Sequence, residues 1–189
     1  MHLQEIFQGL TLSEMHKNII SKKLKKTTIN KGETLLHPND TTFYQYYVES
    51  GCLRSFFTDT SAKEHTIQFA IKDWWISDYT AFFKKEKAIL QIECIQDATA
   101  LRLSRDDMEE IFDLVPGIER YFRIKTESYI GSFQKRIIGD LSKTAKEQYI
   151  EFVNTYPNIE QLVKNYHIAS YLGITSESLS RIRKEIAKK

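Results

Sequence analysis

Polar and apolar positions follow three regimes along the chain. Residues 11–26 put Met15, Ile19, Ile20 and Leu24 on one stripe at helical spacing. Ser13 or Thr11 can start that helix, and a lysine-rich last turn suits its dipole. From 27 to 103 the pattern shifts to short runs of β-branched and aromatic residues broken by turn signals, which predicts strands. Turns fall at Lys31-Gly32-Glu33 and at His37-Pro38-Asn39-Asp40. Tyr46, Tyr47 and Val48 form one strand and residues 53–57 the next, around a Ser50-Gly51 turn. A polar hairpin tip at 58–63 leads into a strand at 65–69, and a further pair, 90–95 and 99–103, turns around Gln96 and Asp97. Short strands at regular spacing imply a sandwich, roll or barrel.

Ser104 opens the helical remainder, so the fold class is α+β. A brief helix through Met108 and Phe112 ends at Pro116-Gly117, and a longer one covers 118–140. Its residues Ile118, Phe122, Tyr129, Phe133 and Ile137 lie near one stripe, interrupted by Lys125 and Ser132. That stripe can pack on the β-rich region, on a second copy of itself, or on both. Gly139-Asp140 reads as a hinge, and a helix over 142–156 ends at Pro157-Asn158. The chain divides into a β-rich domain at 1–115, the long connecting helix at 116–141 and a helical domain at 142–189.

The last segment is the most informative. Ile168, Ala169, Leu172, Ile174, Leu179 and Ile182 are apolar or small where two crossed helices must touch. Gly173 stands at the reversal, where a positive φ is needed, and Thr175 can cap the second helix with Glu177 in its first turn. At about 100° per residue, Leu179, Ile182 and Ile186 fall on one side of that helix. Glu177, Ser180, Arg181, Lys184 and Lys188 fall on the other. An arginine can bond a guanine edge twice, a glutamate can accept from cytosine, and the later lysines suit phosphates. The bland alternative, an i,i+4 surface pair of Glu177 and Arg181 on an ordinary amphipathic helix, fits the spacing before it less well.

Bulk chemistry adds limits. A net charge of +2 over 189 residues does not itself argue for nucleic acid. The charge is locally biased: Arg181, Arg183, Lys184, Lys188 and Lys189 stand against Glu185 alone in the last ten residues. Cys52 and Cys94 sit in apolar stretches and read as buried small hydrophobes in a reducing compartment. No metal ligand set, catalytic residue, cofactor motif, signal peptide or membrane span is visible. A cytoplasmic protein without enzymatic activity is expected. Asp106-Asp107 and Glu109-Glu110 sit at a helix start, where acids favour the dipole.

With these residues in place, the element order resembles the Crp/Fnr family of bacterial transcription regulators. The resemblance rests on residues 168–181, on Lys31-Gly32-Glu33 with Pro38-Asn39-Asp40, and on Tyr47-Val48-Glu49-Ser50-Gly51. It implies an N-terminal β-roll, a cyclic-nucleotide-binding-like double-stranded jelly roll, with flanking helices. A long dimerisation helix and an all-α helix-turn-helix domain would follow. It implies a homodimer joined through Phe122, Tyr129, Phe133 and Ile137, partnered by double-stranded DNA and by RNA polymerase, with no membrane contact. It makes Ser176, Glu177 and Arg181 base readers, with Ser180 and Lys184 close by. The sequence ends at Lys189, without the full β-hairpin wing that many members add.

One departure bears on the effector. Members that bind cyclic nucleotides hold ribose and phosphate with a Gly-Glu pair and a later Arg-Ser or Arg-Thr pair. Here Ser77-Asp78 takes the first place, Lys87-Ala88 is the nearest substitute for the second, and no arginine occurs in 73–89. A lysine does not reproduce a guanidinium fork, which argues against cyclic AMP or cyclic GMP. Trp74, Trp75, Tyr79, Phe82 and Phe83 either line a pocket for an unidentified apolar or aromatic effector or fill it as core. The competing functional class is a β-roll ligand-binding or interaction module without DNA binding.

Overall fold

The computed structural model describes residues 3–41 and 44–187. Two short helices, α1 (Leu3–Ile6) and α2 (Glu14–Lys23), precede the strands. The Ser13 hydroxyl accepts the His16 amide and caps α2. The helix stops earlier than its stripe suggests, because Lys25 and Lys26 already pair in β1 (Lys25–Ile29). Next come β2 (Thr34–Leu36), β3 (Tyr44–Thr58), β4 (Glu64–Ala70), β5 (Trp75–Ile76), α3 (Tyr79–Lys84) and β6 (Gln91–Ser104).

All pairings are antiparallel, in the order β1-β6-β3-β4, with β2 also on β6 and β5 also on β3. The long strands β3 and β6 pair from Tyr44 opposite Ser104 to Phe56 opposite Gln91. One half of each serves one neighbour and the other half another, which bends the sheet into a roll. The expected turns at Ser50-Gly51 and Gln96-Asp97 are instead bulges inside continuous strands. The register slips between Ser50 and Cys52, and Gly51 takes φ +82°. Both halves of β3 find partners on β6, so the chain has no reason to reverse there.

The roll interior is filled by Val48, Leu53, Ile76, Ala81, Ile92 and Ala100, all buried. A second apolar cluster lies between the roll and its helices. Phe7, Ile20, Leu101, Ile111 and Tyr121 meet there, with Trp75 and Phe122. Ser104 caps α4 (Arg105–Leu114) by accepting the Asp107 amide at 3.0 Å. Helix α5 (Ile118–Ser142) runs straight through Gly139-Asp140, so the expected hinge is not there. The chain turns at Lys143-Thr144 instead. Thr144 and Glu147 form a capping box that starts α6 (Ala145–Thr155). Pro157 opens α7 (Pro157–Leu162), and α8 (Asn165–Tyr171) and α9 (Ser176–Ala187) are the last elements among the described residues.

Candidate nucleic-acid interface and its seat on the sheet

Helices α8 and α9 meet through Ile168, Ala169, Leu172 and Leu179, all buried, with Ile174, Ile182 and Ile186 packed against them. Gly173 takes φ +69°, while a Cβ there would meet nothing within 4 Å, so conformation rather than crowding selects glycine. The Thr175 hydroxyl accepts the Ser178 amide at 3.2 Å and caps α9.

The opposite face of α9 points outward. Ser176, Glu177, Ser180, Arg181 and Lys184 are all exposed and line one shallow patch. The Glu177 carboxyl is held below its ordinary range. It accepts from its own amide and from the Thr175 hydroxyl, and Arg181 adds positive charge. Arg181 donates to the Ser178 hydroxyl at 3.2 Å, so its guanidinium is positioned but solvent-facing. Lys188 and Lys189 lie outside the described residues.

Arg183 corrects the picture of a uniformly basic end. Its guanidinium turns inward and donates to the Tyr149 hydroxyl at 2.9 Å, to Glu160 and to Asn165. It ties α9 to α6, α7 and α8 rather than facing phosphate.

Helix α8 sits on the edge strand β4. Such an edge leaves backbone groups unpaired, and here side chains from the helical domain take them. The Ser170 hydroxyl accepts the Thr66 amide at 3.0 Å and donates to the Glu64 carbonyl at 2.8 Å. From α5, Arg136 donates to the carbonyls of Ile67 (2.6 Å), Thr66 (3.0 Å) and Tyr171 (2.7 Å). Its guanidinium also lies 3.9 Å from the centre of the Tyr171 ring. One residue of the long helix thus holds both the sheet edge and the end of α8.

Beneath α8, Arg54 is 1% exposed. It donates to Glu93 (2.9 Å), Glu64 (2.7 Å) and the Thr66 hydroxyl (3.3 Å). His167 is buried beside it. Burial first, and then the positive charges of Arg54 and Lys164, push the His167 pKa down to about 3. The ring is neutral at physiological pH. Apolar contacts close the seat: Cys52 and Phe69 of the sheet join Phe152, Ile159, Ile168 and Leu172 in one cluster.

The residues expected around an effector do not converge. Trp75 is buried, its indole N–H donates to the Tyr121 hydroxyl at 3.3 Å, and it borders an interdomain cleft with Tyr79. Phe82 and Ala88 are core. Ser77 is buried and donates to the Tyr44 carbonyl, whereas Lys87 is exposed. Asp78 is 1% exposed, and its two oxygens accept four backbone N–H groups, from Thr80, Ala81, Ile89 and Leu90. A carboxylate offers about four acceptor sites, so none remains for a ribose hydroxyl. The helix start that suits an anion already holds one. The residues present do not fit a cyclic nucleotide in this place.

The dimer stripe also needs correction. Phe122 is inside the protomer, 5.3 Å from Trp75 and 5.5 Å from Phe112 by ring centres, because the first turns of α5 cover the N-terminal helices. Tyr129 leans on Tyr79 at 5.1 Å. Phe133 and Ile137 are exposed, together with Ile130, Ile138 and Leu141. Ile130 and Leu141 extend the row of Phe133 and Ile137 into an exposed seam on one helix face, two positions that sequence reading missed because Tyr129 and Phe122 drew the stripe one position aside.

Residues 26–114 match the cyclic nucleotide-binding domain family. No curated relative matches the chain by sequence. Among solved structures, the chain is similar to the c-di-GMP responsive global regulator CLP of Xanthomonas campestris. The TM-score is 0.75 at 10% identity, covering 93% of this chain and 92% of that one. It is similar to a CooA mutant from Carboxydothermus hydrogenoformans, with TM-score 0.72, 19% identity and coverages of 100% and 85%. A Crp/Fnr family transcriptional regulator from Eubacterium rectale gives TM-score 0.70, 18% identity and coverages of 93% and 84%. The first and third of these are described as regulators. No helix among the described residues is long and apolar enough to cross a membrane.

Proposed function

Because the chain has the Crp/Fnr regulator fold, with a cyclic nucleotide-binding domain at 26–114, we propose that it is a sequence-specific DNA-binding transcription regulator. The observation that carries this reading is the outward face of α9. Five polar side chains, Ser176, Glu177, Ser180, Arg181 and Lys184, share one exposed patch on a helix whose other face is anchored. A helix held in that way can enter a major groove.

Selection of bound duplexes from a random pool tests it. The expected result is a single enriched motif bound with salt-dependent affinity. Arg181→Ala is expected to lose roughly tenfold to a hundredfold in discrimination at one position, the size of one bidentate base contact. Lys184→Ala is expected to weaken all sequences alike and to lower the salt slope by about one. A duplex affinity with no sequence preference would sink the reading.

We also propose that two copies pair along the exposed seam of α5, from Ile130 to Leu141. Ile130, Phe133, Ile137 and Leu141 are all exposed, Leu141 by 83%, which leaves a contiguous apolar row facing outward. Two-fold pairing would put two recognition helices about one DNA turn, ~34 Å, apart and select symmetric sites. Light scattering is expected to give twice the chain mass. The double change Phe133→Glu with Ile137→Glu is expected to give the monomer and to abolish preference for paired half-sites. A monomeric parent chain would refute the pairing.

A further inference from the structure

We propose that Arg136 is the positioning residue that sets the separation of the two DNA half-sites. This rests on the DNA-binding and pairing readings above and deepens them.

A defect in β4 builds the place that Arg136 occupies. Ser55 pairs with Gln68 and Phe56 with Thr66, so Ile67 is an extra residue on β4. Carbonyls of successive residues point to opposite edges of a regular strand, and a bulge breaks that alternation. The carbonyls of Thr66 and Ile67 therefore both reach one guanidinium, at 3.0 and 2.6 Å. The Nη2 that donates to Thr66 also donates to the carbonyl of Tyr171, the last residue of α8, at 2.7 Å.

Three bodies meet at this point. Arg136 is rooted in α5, grips the sheet at β4 and holds the end of α8. The Tyr171 ring lies 3.9 Å from the guanidinium carbon, and Asp140, one turn further along α5, pairs with Nε at 3.9 Å. Phe133 and Ile137, three residues before Arg136 and one after it, are exposed on the proposed pairing seam. The end of α8 is thus tied to the seam within about one helical turn, ~5 Å of rise.

Other contacts constrain the helical domain less. The apolar contact of Cys52 and Phe69 with Phe152, Ile168 and Leu172 is non-directional. Ser170 joins α8 to β4 but not to α5. At Lys143, where α5 gives way to α6, Gln148 donates to the Gly139 and Lys143 carbonyls at 3.3 and 3.2 Å, and the pair of Lys143 with Glu151 is partly exposed. On DNA, one added base pair moves a half-site by ~3.4 Å and turns it by ~35°. A domain gripped by the Arg136 fork cannot follow that change. A domain released to swing at Lys143 can, but it loses the preorganisation that favours the right spacing.

Duplexes carrying the selected half-site as an inverted pair, with the spacer varied one base pair at a time, test this with the full chain. The parent dimer is expected to favour one spacing over its neighbours by about tenfold or more. Arg136→Gln removes both fork and charge. Arg136→Lys keeps the charge and much of the stem but has no planar fork, and it decides the matter if the glutamine variant does not fold. Both are expected to stay dimeric by light scattering and to bind a duplex with a single half-site within about twofold of the parent. They are expected to bind the best paired site about tenfold more weakly and to accept neighbouring spacings within about threefold of it. Variants that keep the parent's spacing preference overturn this proposal alone. Weaker binding to the single half-site also overturns it, by placing the effect of Arg136 in the reading helix, and a monomeric variant does so by placing it in the seam. A parent chain that binds no paired site removes the readings beneath, and this proposal with them.

Discussion

Replacing Gly51 by alanine is expected to cost about 4 kcal/mol or more, the largest effect of any single methyl in this chain. The residue takes φ +82°, which alone costs an L-residue roughly 1–2 kcal/mol. The added Cβ would stand 2.2 Å from the Asp97 carbonyl oxygen and 2.6 Å from Ala98 Cα. Both belong to the backbone of β6, so no side-chain rotation relieves the contact, and β3 must leave β6 at the bulge. That bulge has a consequence beyond the roll. It lets Cys52 join the cluster under α8 while Leu53 points into the roll interior. The melting temperature is expected to fall by roughly 8–16 °C, at about 2–4 °C per kcal/mol for a chain of this size. Gly173→Ala is the control. It shares the positive φ but meets nothing within 4 Å, so only about 1–2 kcal/mol is expected. Equal losses in the two variants would show that crowding at Gly51 is relieved and the argument wrong.

The contrast between these glycines also explains what the sequence discloses. At Gly173 the flanking signals are local: apolar spacing on both sides and a threonine two residues on. That helix-turn-helix is readable from one short stretch, and so are the caps at Ser13 and Ser104. At Gly51 the same residue type suggests a turn, and only pairing with residues about 45 positions later reveals a bulge in an unbroken strand. The seat of α8 is less legible still. Ser170 meets Glu64 and Thr66 across more than a hundred residues, and Arg136 meets Ile67 across 69. A serine and an arginine on amphipathic helices look like solvent-facing residues until the facing strand is known. One signal was available. Residues 52–57 of β3 are apolar or small on both alternating faces apart from Arg54, which implies a cover on the outside of the sheet as well as a core within. Asp78 likewise matched the place of a ligand-binding acid, but counting its amide partners requires coordinates.

Arg54→Ala is expected to cost about 3 kcal/mol and to loosen the whole helix-turn-helix from the sheet. The guanidinium bridges Glu64 and Glu93, and it lies 3.9 Å from the centre of the Phe56 ring. Removing it strands two carboxylates near each other, empties the space over Phe56 and leaves the Thr66 hydroxyl one donor short. Breaking a buried pair in this way costs about 3–5 kcal/mol. The lower figure applies because Glu64 is partly exposed and can turn to water. Arg54→Met combined with Glu93→Gln, which removes charge on both sides and keeps the volume, is expected to recover part of the loss. The pH dependence supplies a second readout. His167 has a folded-state pKa of about 3 against an ordinary 6.5, so between these values the unfolded chain binds the extra proton. Stability from this group is complete above about pH 6.5 and falls with acidification, by at most about 1.4 kcal/mol per pH unit. Loss of Arg54 removes one of the two positive charges opposing protonation, so the His167 pKa rises and the slope between pH 3 and 6.5 becomes shallower. Urea unfolding across that range and the His167 ring proton shift measure both effects. Hydrogen exchange in α8 should quicken, and DNA affinity should drop while the preferred sequence stays the same, because the side chains proposed to read bases are on α9 and keep their own caps. A changed sequence preference in Arg54→Ala would mean that the seat shapes the reader itself, and an unchanged stability would mean that α8 does not rest on Arg54.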